Sequence, residues 1–383
     1  MTSGSPAATG GRPSGRRLRL GFSTGTAAAA AAKAALTVML TSHAPASVSV
    51  ELPGGERLEL PVARASRVDR ERAAASVIKD AGDDPDVTNG AEIRVRVALL
   101  GHGRKGPAVR FRGGEGVGTV TRPGLAVAVG EPAINPVPRR MIKKALAEAW
   151  AAHGGGRGEM RLEVEISVPR GQELARRTFN PRLGIVGGIS IIGTHGLVKP
   201  FSHEGYTGTI DSALSVARAQ GLREVVLTTG GKSEKLARGL RPELPEQAFI
   251  QIADFFAHAL ARAVKMDMHT LGLVCFFGKA VKQAMGLAYT HARRAPLDQE
   301  RLAGWLARAG AGPELHERIA RANTARHALE ILQEQGRLEL VGEVGRRMLA
   351  SARSFAGPGP GLWGMILDFS GRVLFSGRAE DSS

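Results

Sequence analysis

Hydrophobic and polar positions change rhythm twice along the chain. After the Thr24-Gly25-Thr26 turn, an alanine-rich apolar run predicts a helix over residues 27–40. Alternation follows: Val48, Val50 and Leu52, then Leu58, Leu60 and Val62, with Gly54-Gly55 between. A period of two on each side of a glycine pair predicts a β-hairpin. Residues 73–79 form a short further element, closed by an acidic turn over 80–86. Strands are expected at 92–99, 108–112, 117–122 and 161–168. The stiff segment 132–138 leads into a helix over 139–153, which the glycines of 154–158 end. This region reads as α+β, with strands running in hairpins rather than crossovers.

From Asn180 the pattern becomes strand, loop, helix. An apolar strand-like run at 185–192 leaves through Gly193-Thr194-His195-Gly196, and residues 204–220 have helical period. A strand at 224–227 ends in Thr228-Thr229-Gly230-Gly231 and precedes a helix at 232–240. A short strand at 248–252 precedes a helix at 254–265, with Asp254 near its start. A strand at 271–277 ends in Gly278-Lys279 and precedes a helix at 280–287. Four such units predict an open, mainly parallel α/β sheet, and such sheets bind ligands outside the carboxyl ends of their strands. Residues 298–352 are helical in pattern, Gly357-Pro358-Gly359-Pro360 breaks them, and 365–369 with 372–375 predict a terminal hairpin turning at Ser370-Gly371.

The expected organisation is a disordered tail at 1–18, without apolar period, and an α+β domain at 19–178 on the substrate side. An α/β domain follows at 179–295. A helical segment and terminal β-hairpin at 296–383 would pack on the preceding domains.

Composition narrows the function classes. The chain of 383 residues carries 52 Lys and Arg against 36 Asp and Glu, a net charge of +16, which predicts an anionic partner. The arginines are scattered rather than blocked, which weakens a nucleic-acid reading, and no DNA or RNA motif is present. Fifty glycines, nearly double the usual share of about 7%, show no G-X-Y period and read as tight turns. The single cysteine, Cys275, excludes a disulfide framework and a Cys-rich zinc site. No run nears the roughly 18 apolar residues of a membrane span. Arg16-Arg17 before the alanine run superficially resembles an export signal. Lys33 interrupts that run and no tidy cleavage site follows, so a cytoplasmic protein is expected.

Most short motifs fail on inspection. Gly231-Lys232-Ser233 ends like a phosphate-binding loop, but the required upstream glycine is Val226. Gly184, Gly187, Gly188 and Gly193 are not a dinucleotide fingerprint; they mark either close backbone approach to a ligand or plain turns. The acidic turn lacks EF-hand spacing and is either a solvated turn or a polar-ligand contact. No zinc-type pair of histidines and no hydrolase nucleophile elbow occurs. His195, His203 and His291 are lone histidines, a type more often structural than catalytic. Cys275, inside an apolar strand, reads as an inert core thiol.

A series of longer stretches is more specific. It begins with Gly21-Phe22-Ser23-Thr24-Gly25-Thr26 and continues with Val77-Ile78-Lys79-Asp80-Ala81-Gly82-Asp83-Asp84-Pro85-Asp86-Val87-Thr88. Gly116-Val117-Gly118-Thr119-Val120-Thr121-Arg122-Pro123-Gly124-Leu125 and Gly130-Glu131-Pro132-Ala133-Ile134-Asn135-Pro136-Val137-Pro138-Arg139 follow. The series closes with Asn180-Pro181-Arg182-Leu183-Gly184-Ile185-Val186-Gly187-Gly188-Ile189-Ser190-Ile191-Ile192-Gly193-Thr194. In this order they closely resemble the CbiD family, the cobalt-precorrin-5B C1-methyltransferases of anaerobic cobalamin synthesis, over residues 19–376. The chain departs from the family's common pattern at Ala27 (often Cys), Asn89 (often His), Thr229-Gly230 (often Pro-Gly) and Tyr289 (often Asn).

The resemblance implies methyl transfer from S-adenosylmethionine to C1 of a cobalt-bearing tetrapyrrole, giving cobalt-precorrin-6A. Cobalt enters only as part of the substrate, and no resident metal and no catalytic side chain are expected. A basic protein suits a polyacidic macrocycle. The expected substrate contacts are Thr24, Thr26, Lys33, Lys79, Asp80, Asp83, Arg122, Asn135 and Arg139, with Arg140 a further clamp. The macrocycle would lie between this set and the strand ends. The expected donor contacts are Gly187, Gly188, Gly193, Thr194, Thr229, Gly230, Asp254, Gly278 and His291; for Asp254, helix capping is the competing reading. The expected partner is an anionic corrinoid, with hand-over to neighbouring cobalamin-pathway enzymes and neither nucleic acid nor membrane. A corrinoid carrier without catalysis is the alternative.

Overall fold

The alanine run forms a helix with almost no exposed face. In the computed structural model, which describes residues 18–100, 108–154, 160–291 and 297–379, helix α1 spans Thr24–Thr41. The Ser23 hydroxyl caps it by accepting a hydrogen bond from the Thr26 amide at 3.1 Å. Ala27 to Ala32, Ala34, Ala35, Leu36 and Met39 are all fully buried. A helix that is apolar all round belongs inside a fold, and methyl side chains let its neighbours approach closely.

Those neighbours are a hairpin, a sheet and a second helix. Strands β1 (Ser47–Glu51) and β2 (Arg57–Pro61) form the expected antiparallel hairpin. Strands β3 (Arg64–Arg67), β4 (Arg72–Ile78), β5 (Glu92–Leu99), β6 (Val109–Gly113) and, after helix α2 (Pro136–His153), β7 (Leu162–Ser167) form one sheet. Its order is β3-β4-β5-β7-β6. Ile93, Val95 and Val97 alternate with Arg94 and Arg96, and Leu162, Val164 and Ile166 alternate with Glu163 and Glu165; the six apolar residues are fully buried. The polar face is a lattice of charge: Arg96 sits opposite Glu165 in register, at 3.4 Å. The expectation of hairpins only is corrected here. β6 runs parallel to β7, because a connection containing α2 is long enough to bring the chain back in the same direction.

Among the described residues, these elements belong to one of two compact units, drawn from 1–117, 134–174 and 189–202; the other is drawn from 118–133, 175–188 and 203–383. In the second unit, α3 (His203–Ala219) precedes β8 (Glu224–Thr228), α4 (Gly231–Leu240), β9 (Phe249–Gln251), α5 (Phe256–Lys265), β10 (Thr270–Phe276) and α6 (Phe277–Ala284). Then come α7 (Gln299–Arg308), α8 (Pro313–Ala320), α9 (Ala325–Glu334), α10 (Val341–Ala356), β11 (Gly361–Leu367) and β12 (Val373–Arg378). The sheet order is β9-β8-β10-β11-β12, parallel except for β12. One face buries Val225, Leu227, Leu271, Leu273 and Leu362 with the helices of 299–356; the other packs Val226, Val274 and Trp363 against Ala237 of α4.

The strand expected over 185–192 is also corrected. Only Ile185–Val186 pairs as a strand, antiparallel to Thr119–Val120, while Ile189 and Ile191 make single bridges to Val117 and Ile134. The interspersed glycines break the run; Gly184, Gly187 and Gly193 all have positive φ. The fourth parallel strand is instead β11, the first strand of the terminal hairpin. Its register places Trp363 opposite Gly272. A Cβ at Gly272 would stand 2.2 Å from the indole, so this glycine makes room for it. The indole Nε1–H donates to Glu224 at 3.0 Å, and the Arg241 guanidinium stacks 4.7 Å from the ring.

Among the described residues no helix is long and apolar enough to cross a membrane. The expected tail falls on residues 1–17, outside the described residues, apart from Leu18.

The close packing of α1 is directly testable. Ala30→Leu should lower the stability of the chain by about 2 kcal/mol, measured by denaturant unfolding, through overpacking alone.

Candidate functional site

Neighbouring parallel strands end on the same edge. β8, β10 and β11 finish at Thr228, Phe276 and Leu367, and a cavity of about 450 Å³ opens there. Its size lies within the range of small-molecule sites, roughly 300–1,000 Å³. The first turns of α4 and α6 follow directly on β8 and β10, so their unpaired amides give the edge positive partial charge. Lys232, Lys279, Lys282 and Arg326 line the same cavity. Its apolar wall is Phe276 stacked on Phe369, with ring centroids 4.6 Å apart. The Lys232 ammonium lies 5.1 Å from the Phe369 ring.

Two acids serve this edge differently. Asp254 is ion-paired to Lys279 and accepts from the Thr290 hydroxyl at 3.2 Å. Asp368 follows β11 and lines the cavity itself. Its Oδ1 accepts from the Ser370 hydroxyl at 2.6 Å and from the amides of Ser370, Gly371 and Arg372. Among the described residues its Oδ2 has no hydrogen-bond partner. Burial pushes the Asp368 carboxyl up, but the Ser370 and backbone bonds outweigh it and leave the group below the ordinary carboxylate range. Burial, then the neighbouring Lys279 charge, pushes the Lys282 ammonium down. Cys275, one residue inside β10, is 1% exposed, and burial drives its thiol up to about 12. It is a free thiol buried in the core, as its apolar strand suggested. Among the described residues no group of three or more His, Cys, Asp or Glu side chains is placed to hold a metal ion.

Comparison with known proteins places the chain in a family. A family model described as CbiD matches residues 12–200, and one described as the CbiD C-terminal domain matches 289–378. A cobalt-precorrin-5B C(1)-methyltransferase of Salinispora arenicola is 47% identical over 94% of this chain and 93% of its own length. Proteins of the same name from Nitratidesulfovibrio vulgaris and Thermus thermophilus are 46% and 47% identical, covering 94% and 84% of this chain and 92% and 83% of their own. The chain belongs to the CbiD family. A crystal structure titled as the cobalamin biosynthesis protein cbiD of Archaeoglobus fulgidus is similar at 26% identity, covering 83% of this chain and 85% of that one, with a TM-score of 0.38.

Of the donor contacts expected in this CbiD chain, Thr229, Gly230 and Gly278 line the cavity. Asp254 is not among its lining residues and meets Lys279 and Thr290 instead; His291 follows Thr290 in the chain. Gly187 and Gly188 lie in the second unit, where the Gly188 carbonyl accepts from Asn180 at 3.1 Å. Gly193 and Thr194 lie in the first unit. Gly193 has φ +145°, and a Cβ there would meet the Ser23 side chain at 2.0 Å.

The expected substrate contacts mostly have partners within their own unit. The Thr24 hydroxyl accepts from the Ile192 amide at 2.9 Å, and the Thr26 hydroxyl donates to the Gly196 carbonyl at 2.6 Å. Lys33 donates to Glu148 and to the Ser49 carbonyl, at 2.5 and 2.7 Å. Lys79 is 2% exposed and pairs with Asp86 at 2.7 Å. Asp80 binds Arg19, and Asp83 accepts from the Arg19 amide at 2.7 Å. Arg139 donates to the Ile134 carbonyl at 2.8 Å and lies over Phe111. Asn135 starts α2 without a side-chain cap bond. Arg122, in the second unit, donates to the Arg182 carbonyl at 3.1 Å and packs across Gly184. The acidic turn is therefore held by hydrogen bonds inside the protein.

The cavity residues that sequence reasoning did not single out include Phe276, Phe369, Asp368, Lys282 and Arg326, while Lys232 entered it only in a rejected phosphate-loop motif. The available signal was an aromatic at the end of each of two strands, at positions 276 and 369, whose adjacency requires knowing that β11 neighbours β10.

Glu148 provides a test of this frame. The Arg57 hydrogen bonds, against the opposing effect of burial and with help from Lys33, hold its carboxyl down to about 2. A depressed carboxylate stabilises the fold above its unfolded value, about 4.3, and that contribution is lost as pH falls toward 2. Glu148→Gln should remove roughly 1–2 kcal/mol at pH 7 and nothing near pH 2, read by unfolding at the two pH values.

Proposed function

We propose that this protein transfers a methyl group to C1 of cobalt-precorrin-5B in cobalamin biosynthesis, in the cytoplasm, with S-adenosylmethionine as donor. Membership of the CbiD family and the name shared by relatives of 46–47% identity support the reaction. The single structural observation carrying the donor assignment is the strand-end cavity, which combines an aromatic wall, an acid and several cations.

The residues present fit that donor. Phe276 and Phe369 offer a flat apolar surface for the adenine. The open Oδ2 of Asp368 accepts from ribose hydroxyls. Lys232 and the first turn of α4 attract the donor's carboxylate. When bound, the donor supplies a methyl group on a sulfonium, already activated toward a carbon nucleophile. The chain then needs no nucleophile of its own: it binds, aligns and excludes water. Cys275, buried and protonated, has no part in this. Arg122, in the same unit as the cavity, suits a carboxylate arm of the corrinoid, and hand-over to neighbouring enzymes of the pathway belongs to the same reading. No observation favours a carrier without catalysis.

Incubation with cobalt-precorrin-5B and S-adenosylmethionine should give a product heavier by one methyl group, detected by mass spectrometry. Asp368→Asn should weaken S-adenosylhomocysteine binding about tenfold in calorimetry, the scale of a hydrogen bond to a charged group. Cys275→Ser should keep most of the activity. No methylated product from the folded wild type, or total loss in folded Cys275→Ser, would sink this reading.

A further inference from the structure

The chain has two tyrosines, Tyr206 and Tyr289, and both stand in one aromatic cluster. Tyr206, on α3, stacks with Phe255 at 5.9 Å, and Phe255 lies 5.1 Å from Tyr289. His203 is 4.7 Å from Tyr289, and Tyr289 and His291 stack at 5.9 Å with planes 7° apart. Phe, Trp and Tyr make up 4% of this chain, so three of them gathered with two histidine rings are a marked concentration. Phe255 is buried beneath them, whereas Tyr206 is 55% exposed and His203 is exposed. Ring surface thus faces water over an apolar base, and the donor reading uses none of it.

The position of the cluster decides its use. Thr290, between Tyr289 and His291, lines the strand-end cavity. Lys279 donates to its hydroxyl at 3.3 Å and Lys282 to its carbonyl at 3.3 Å. The cluster and the cavity therefore share one wall within a single unit. Lys282, and Lys279 in its pair with Asp254, bring their ammonium groups to that wall.

We propose that the aromatic cluster of Tyr206, Phe255 and Tyr289 is the platform that receives the flat face of the tetrapyrrole substrate, beside the donor cavity. This rests on the methyltransferase reading. A conjugated macrocycle stacks on aromatic rings and desolvates both surfaces. Its carboxylate arms are drawn to neighbouring ammonium groups.

The test uses the full chain labelled with 3-fluorotyrosine, which gives two ¹⁹F resonances, assigned by Tyr206→Phe and Tyr289→Phe. The probe is cobyrinic acid, a stable Co(III) corrinoid with free carboxylates. Both resonances should shift saturably with the probe and stay in place with S-adenosylhomocysteine. Tyr206→Ala should weaken probe binding, and raise KM for the tetrapyrrole, about 5–10-fold, leaving kcat and S-adenosylhomocysteine binding unchanged; Tyr206→Phe should restore both. Unmoved resonances at saturating probe, unchanged affinity in Tyr206→Ala, no probe binding, or a shift driven by protein concentration alone overturns the platform. A chain that methylates with unmoved resonances loses the platform and keeps its activity. One whose tyrosines shift with the probe but which adds no methyl group keeps the platform and loses the reaction.

Discussion

The candidate site depends on strand direction. Because β8, β10 and β11 run parallel and side by side, their carboxyl ends meet on one edge, and α4 and α6 begin where β8 and β10 stop. Unpaired helix amides and loop side chains then converge without any further device. The arrangement is secured by β11, the last parallel strand to be made. Its Trp363 lies over Gly272 and is held by Glu224 and Arg241. Without β11, Asp368 and Phe369 would not reach the cavity.

Charge is distributed in the same economical way. The surplus of basic residues, read alone, invites a search for a binding surface. Many basic residues are paired inside the fold, Arg96 with Glu165, Arg57 and Lys33 with Glu148, Lys79 with Asp86, and the surplus lies on the rest. The acidic turn likewise answers Arg19 and Lys79. At the strand-end cavity four cations gather around an aromatic wall, with Asp368 as the acid beside them. This is the pattern expected for a ligand that carries both a flat ring and an anionic group.

Much of this architecture was legible in the sequence. The alanine helix, the glycine-paired hairpin, the alternating strands of the first unit and the strand–helix rhythm after residue 203 follow from periodicity. Thr229, Gly230 and Gly278 were legible because strand-end loops are chosen by topology before chemistry. The run at 185–192 misled because apolar content outvoted its glycines, each of which interrupts pairing. The place of β11 was hidden because parallel neighbours separated by about ninety residues leave no local trace. For the same reason Phe276 and Phe369 could not be matched. Lys79 looked like a clamp since its burial depends on Asp86, seven residues away across a turn. Tyr206 and Tyr289 meet through Phe255, a contact that no spacing announces.

We propose that the methyl donor is held at the strand-end cavity of the second unit. Hydrogen–deuterium exchange of the full chain with and without S-adenosylhomocysteine tests it most directly. Binding there slows exchange over residues 229–233, 276–279 and 367–371 and leaves the first unit unchanged. Protection confined to the segments around Thr24–Thr26 and residues 79–89, with the strand ends unaffected, would contradict it.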